Sequence, residues 1–159
     1  MTVRQTTPTD PYAYVLGGLP RVGLVGITVH RCTACDVDVP TIPKIGELHH
    51  VLARGFLRKN GLLAGDELRF IRKQAGFRAQ DFAEKIGLDP SYLSRVENGK
   101  LDSLGETSDR LARAVAAAVI DPDLLKEIVL RAALEGTPIR KPLQAILKRN
   151  RWSAAERAA

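Results

Sequence analysis

The sequence predicts an α+β chain that is mainly α: a small N-terminal β-containing domain, then a five-helix domain, then a C-terminal helical tail. Three observations predict it. Short apolar alternations run between Tyr12 and Val39, spacings of three and four take over from Ile45, and the pairs Asp89-Pro90 and Asp121-Pro122 punctuate the helical part. With 159 residues, 45% hydrophobic and 26% charged, the chain has the size and composition of one ordinary globular domain or two small ones.

Residues 1–11 carry Thr, Pro and Asp without periodicity and read as a disordered lead-in. Residues 12–60 read as a small sheet followed by a helix. Tyr12, Tyr14 and Leu16 alternate, Leu24 to Val29 follow a glycine-rich break, and Val37 and Val39 alternate again. These segments predict an antiparallel sheet with the turn from Cys32 to Cys35 between its last two strands. Ile45, Leu48, Leu52 and Phe56 then predict an amphipathic helix over about 44–59, closed by Asn60-Gly61.

Residues 65–135 read as a helical domain. Leu68 and Ile71 mark a helix ending at Gly76, and Phe82, Ala83 and Ile86 mark another ending at Gly87. Asp89-Pro90 opens a third, because an Asp side chain accepts from free first-turn amides and proline loses nothing at the first helical position. Leu111, Val115 and Ala118 define a helix over about 107–119. After Pro122, apolar residues from Leu124 to Leu134 leave little polar face, so that helix needs cover on more than one side. A second copy of the chain is expected to supply it, with Ile128 at the contact. Residues 136–142 read as a linker. Residues 137–159 form a basic C-terminal tail in which Leu143, Ile146 and Leu147 predict one more short helix.

The formal charge is +6 and the sequence pI near 9.6, which favours a polyanionic partner. The excess sits at the ends: residues 1–60 carry +3 and 137–159 carry +5, whereas 101–136 carry −3. The longest apolar run of the C-terminal half, Ala114 to Ile120, is far short of the ~20 residues of a membrane-spanning helix. Residues 1–10 lack the apolar core of a signal peptide, so a cytoplasmic protein without membrane attachment is expected. No hydrolytic triad, phosphate loop or paired-carboxylate motif stands out, and an enzyme is not expected.

The stretch from Ala79 to Val96 places Ala83, Gly87, Leu93 and Val96 at the offsets a helix-turn-helix needs. Ala83 is small where two helices cross, Gly87 permits a left-handed turn, and Leu93 with Val96 fills the wedge between them. So joined, the second helix points outward, its first turns free to enter a major groove. Through Arg72, Gly76, Phe77, Phe82-Ala83, Ile86-Gly87 and the run Leu93 to Gly99, the region 65–119 resembles the Cro/C1-type (XRE-like) DNA-binding domains. The resemblance implies a structural ion pair between Arg72 and Glu97. Where such domains usually open the first helix of the motif with Ser/Thr-Gln, this chain has Arg78-Ala79, so Arg78 offers a positive charge to a phosphate instead.

The candidate DNA-binding residues are Arg78, Gln80, Ser91, Tyr92, Ser94, Arg95, Asn98 and Lys100. Arginine donates two parallel hydrogen bonds to guanine, serine reaches several base edges, and a tyrosine ring meets a thymine methyl or a phosphate. Asn98 and Lys100, just past the second helix, are placed for the backbone.

With the N-terminal half included, the layout resembles the MqsA-type antitoxins. That resemblance implies an N-terminal domain that binds zinc through two Cys-x-x-Cys pairs and contacts a partner toxin, and a C-terminal domain that dimerises and represses its own operon. Here only Cys32-Thr33-Ala34-Cys35 is present, so the N-terminal domain reads as a degenerate zinc knuckle. Cys32 and Cys35 are the candidate metal ligands, with His30, His49 or His50, or a second copy, completing any zinc site. No other cofactor is expected. The expected partners are double-stranded DNA, a second copy of the chain and a toxin protein. The alternative function is a protein-interaction adaptor whose N-terminal domain binds a partner and whose DNA binding is residual.

Overall fold

The computed structural model describes residues 1–134 and 143–156. The linker expected at 136–142 lies outside the described residues. The chain forms two compact units, Met1–Leu52 with Pro142–Ala159, and Ala53–Lys141, so the division falls within the first helix.

The first unit holds two sheets. β1 (Thr2–Gln5), β4 (Thr28–Arg31) and β5 (Asp38–Thr41) make an antiparallel sheet of order β1-β4-β5, with Val3 opposite His30 and His30 opposite Val39. β2 (Tyr12–Tyr14), β3 (Leu19–Val25), β6 (Leu143–Lys148) and β7 (Arg151–Glu156) make the other, in that order. Its central pair, β3 with β6, is parallel, Leu24 facing Ala145, and the other two pairs are antiparallel. Tyr14, Leu19, Leu24, Ile27 and Val29 are buried here, with Leu48 and Leu52 from α1 (Ile45–Arg58) and Leu143, Ala145 and Trp152 from the hairpin.

Two expectations are corrected. Residues 1–11 are not a disordered lead-in, because β1 pairs with β4 and buried Thr6 closes the ladder. Its amide donates to the Ile27 carbonyl at 2.9 Å, and its hydroxyl accepts from the Ile27 amide at 3.1 Å. Nor do Leu143, Ile146 and Leu147 form a helix. They lie on β6, where the ladder to β3 satisfies the backbone and the alternate residues Leu143 and Ala145 are buried. The expected turn between the last two N-terminal strands is present, running from Cys32 to Val37 between β4 and β5.

The second unit contains the end of α1 and the five expected helices: α2 (Gly65–Gln74), α3 (Ala79–Lys85), α4 (Pro90–Glu97), α5 (Glu106–Ile120) and α6 (Pro122–Leu134). Phe56 meets Phe70 edge-on at 5.8 Å in a core that also buries Leu68, Ile71, Phe82, Leu93, Val96, Ala112, Ala116, Leu124 and Ile128. Ile128 is thus buried within one copy, which corrects its expected place at a contact between copies.

Buried charges in this unit are paired, as desolvation requires. Arg113 donates Nε to Asp109 Oδ2 at 2.7 Å, and its Nη atoms to the carbonyls of Phe56, Lys59 and Gly61, at and just past the end of α1. The other Asp109 oxygen accepts from the Leu63 amide at 2.8 Å. Lys59 and Glu67 form a second pair at 2.7 Å, and Glu67 reaches back to the Ala64 amide ahead of α2 at 2.9 Å. These two buried pairs fix the loop between α1 and α2.

Candidate nucleic-acid interface

α3 and α4 meet through buried Phe82, Ala83, Ile86, Leu93 and Val96. Gly87 stands at φ +68° in the turn between them, a left-handed conformation that glycine adopts without steric penalty. Asp89 then caps α4, accepting from the Ser91 amide at 2.8 Å and the Tyr92 amide at 3.3 Å, with Pro90 at the first helical position. Those contacts and the Ser91 hydroxyl, which also donates to Asp89, hold its carboxyl below the usual carboxylate range.

The other side of α4 is clamped to α2. A Cβ on Gly65 would lie 1.9 Å from the Val96 carbonyl oxygen, so only glycine permits this approach. Arg72 Nε and Nη2 donate to the two Glu97 carboxylate oxygens at 2.6 and 2.8 Å, and Nη1 donates to the Phe77 carbonyl at 2.7 Å. Arg69, one turn before Arg72, adds bonds to the Glu97 carbonyl and to Asn98 Oδ1. Sequence reading missed Arg69; its signal was the spacing of three to Arg72 on a helix ending beside Glu97.

With α4 fixed, Ser91, Ser94, Arg95 and Asn98 recur at spacings of three and four along its exposed face. Tyr92 flanks this stripe half-buried, and Lys100 follows it, exposed. These residues differ in what their polar groups already do. The Ser91 hydroxyl serves the cap, and the Asn98 amide nitrogen donates to the Ser94 carbonyl at 2.8 Å and to its hydroxyl at 3.1 Å. Asn98 also accepts from Arg69, so its side chain is spent on ending the helix. Arg95 and Lys100 are exposed, and among the described residues no hydrogen bond or ion pair occupies either side chain.

At the start of α3, Arg78 pairs with Asp81 at 2.8 Å, which holds that carboxyl below its ordinary value. Gln80 donates to Glu84 at 3.3 Å. Both pairs are on the surface, where they are weak enough to exchange for a phosphate.

The cysteines belong to the first unit, on the β4–β5 turn. The Cys32 amide donates to the Val37 carbonyl and the Asp36 amide to the Cys32 carbonyl, both at 3.0 Å. Backbone donors at Ala34 and Cys35, with the Cys35 thiol, pull the Cys32 thiol below its usual range. That turn offers two thiolates where tetrahedral zinc needs four ligands. Among the described residues no three His, Cys, Asp or Glu side chains converge on one point, and His49 Nε2 is engaged by the Tyr14 hydroxyl at 2.8 Å. The described residues do not assemble a complete zinc site within one copy.

No helix among the described residues is long and apolar enough to cross a membrane. No curated protein and no solved structure matches the chain significantly. Residues 68–115 match the helix-turn-helix family model, a span that begins in α2, ends in α5 and includes Arg69, Arg72 and Glu97 but not Gly65. Over residues 68–115 the chain therefore carries a helix-turn-helix domain, of the kind that binds DNA in transcriptional regulators.

Proposed function

We propose that the protein is a cytoplasmic, sequence-specific repressor that reads an inverted-repeat operator as a homodimer, and that it regulates its own operon in the manner of an antitoxin. The observation that carries the reading is the contrast on α4. Behind the helix Arg72 and Glu97 are buried and paired with each other, whereas Arg95 on its outer face is exposed with an unspent guanidinium. A rigid helix presenting an uncommitted bidentate donor suits guanine in a major groove. Tyr92 and Ser94 flank that contact, and Lys100, Arg78 and Gln80 take phosphates.

The dimer is supported by α6. Val129, Leu130 and Leu134 are 55, 60 and 75% exposed, on a side of the helix that Leu124 and Ile128 do not occupy. A two-fold axis through that face would set two α4 helices against successive major grooves, about 34 Å apart. The N-terminal unit is the part left to bind a toxin protein.

Selection of duplexes from a random pool tests the reading. An enriched inverted repeat is expected, with Arg95→Ala weakening its binding by about 1–3 kcal/mol while leaving the melting temperature in place. A pool that yields no preferred sequence overturns it.

A further inference from the structure

The strongest unexplained charge lies in the first unit, at the tip of the β6–β7 hairpin. Lys148 pairs with Arg151 across the ladder, leaving Arg149 and Asn150 as a two-residue turn. Both have positive φ, 48° and 61°, as a type I′ turn requires. Such turns favour Asn-Gly, and a long side chain is uncommon in the left-handed region. The sequence thus holds an arginine where backbone conformation disfavours it.

Lys148, Arg149 and Arg151 are all exposed, and among the described residues none of their side chains is held by a hydrogen bond or ion pair. Lys44 joins them, donating Nζ to the Asn150 carbonyl at 3.1 Å, with Glu47 3.8 Å from the same nitrogen as its acidic neighbour. The root of the hairpin is firm. Trp152 is buried with its indole nitrogen donating to the Pro43 carbonyl at 3.0 Å, and Ile146 pairs with Val25.

Edge strands often carry a charge to prevent aggregation, but that purpose needs no cluster of one sign. The three hairpin cations, Lys148, Arg149 and Arg151, have no counter-charge among the described residues and repel one another until a polyanion neutralises them. A membrane surface is the poorer occupant, because residues 148–151 expose no apolar or aromatic side chain, Trp152 points into the core, and Ile45, exposed beside Lys44, offers too little apolar surface to insert. Duplex DNA is the better one: the helix-turn-helix domain of the same polypeptide holds it at high effective concentration. We propose that the β6–β7 tip, Lys148, Arg149 and Arg151 with Lys44, is a second DNA-contacting element that grips phosphates without reading sequence. This rests on the proposal that the protein binds duplex DNA.

The test is the salt dependence of binding by the full chain, on the selected operator and on a short duplex of arbitrary sequence. The variant Lys148→Ala/Arg149→Asn/Arg151→Ala removes three cations and gives the turn a residue it prefers. Its plot of log affinity against log salt is expected to be shallower by about 2–3 on both duplexes, since each lost phosphate contact contributes about 0.9. The ratio of operator to arbitrary affinity should stay constant, and the melting temperature should hold or rise. Equal slopes for variant and wild type overturn the proposal. So does tip-dependent binding to phosphatidylserine vesicles with unchanged DNA slopes, which would make the tip a membrane contact. A wild type that binds no duplex at all overturns the DNA reading as well, whereas normal binding with equal slopes overturns only this inference.

Discussion

Arg72 and Glu97 face each other across two short parallel hydrogen bonds, with both side chains more than nine-tenths buried. The pair joins α2 to the last turn of α4, so it sets the angle at which the outward helix leaves the domain. Breaking a buried pair leaves one charge unpaired in a poorly polarisable interior, which costs more than the pair itself contributes. Glu97→Ala should therefore destabilise the fold by about 3–5 kcal/mol in denaturant titration. The double variant Arg72→Met/Glu97→Leu should recover most of that loss. A single variant as stable as wild type would show that the pair is not what holds α4.

Much of this clamp was legible because its signals are local or spaced. Asp89-Pro90 announces a cap from two adjacent residues, and the run Leu93 to Gly99 carries the wedge, the ion-pair partner and the helix end together. The hairpin was not legible. Leu143, Ile146 and Leu147 have helical spacing, and the strand that overrides it, β3, lies more than a hundred residues upstream in the chain. β1 was missed for a similar reason, since four mostly exposed residues carry no apolar pattern and owe their order to β4. For α6, periodicity shows that little of the helix is polar but not which side its own chain covers. Likewise the amino-acid types Ser91 and Asn98 suggest base or phosphate contacts, while the geometry commits their polar groups to the ends of α4.

The Tyr14–His49 contact predicts a pH dependence in the first unit. Burial holds the His49 imidazole below its ordinary value and pushes the Tyr14 phenol up, so a neutral ring and a protonated phenol share the 2.8 Å hydrogen bond. Unfolding releases His49 to its ordinary value near 6.5, so below that pH the unfolded chain binds the additional proton. The stabilisation is complete above about pH 6.5 and is lost as pH falls through the lower folded value. Melting temperature should drop between about pH 8 and about pH 5, and His49→Gln should flatten that drop. Parallel curves for the two proteins would remove His49 as the cause.

The Cys32–Cys35 turn is closed by its own backbone hydrogen bonds and by the pairing of Arg31 with Asp38 across β4 and β5. Zinc is not needed to close it, so elemental analysis of the purified protein should find well under one zinc per chain. Cys32→Ser should scarcely move the melting temperature, because serine keeps the turn's backbone bonds. Stoichiometric zinc, lost along with stability in that variant, would mean that two copies share a site.

The last prediction separates cover within one copy from cover between copies on α6. Leu124 and Ile128 are buried by their own chain, so a charge at Ile128 should unfold the domain whatever its oligomeric state. Leu130 is the discriminating position, being well exposed and four residues before exposed Leu134 on the same side. Leu130→Glu should leave circular dichroism and melting of the isolated copy intact while converting a dimer to a monomer in sedimentation at micromolar concentration. Operator affinity should fall with it, because each half-site alone offers a single recognition helix, and the loss should be far smaller on a duplex carrying only one half-site. A variant that remains dimeric and binds the full operator normally would place the two-fold contact elsewhere on the molecule. A wild type that sediments as a monomer would remove the inverted-repeat geometry altogether.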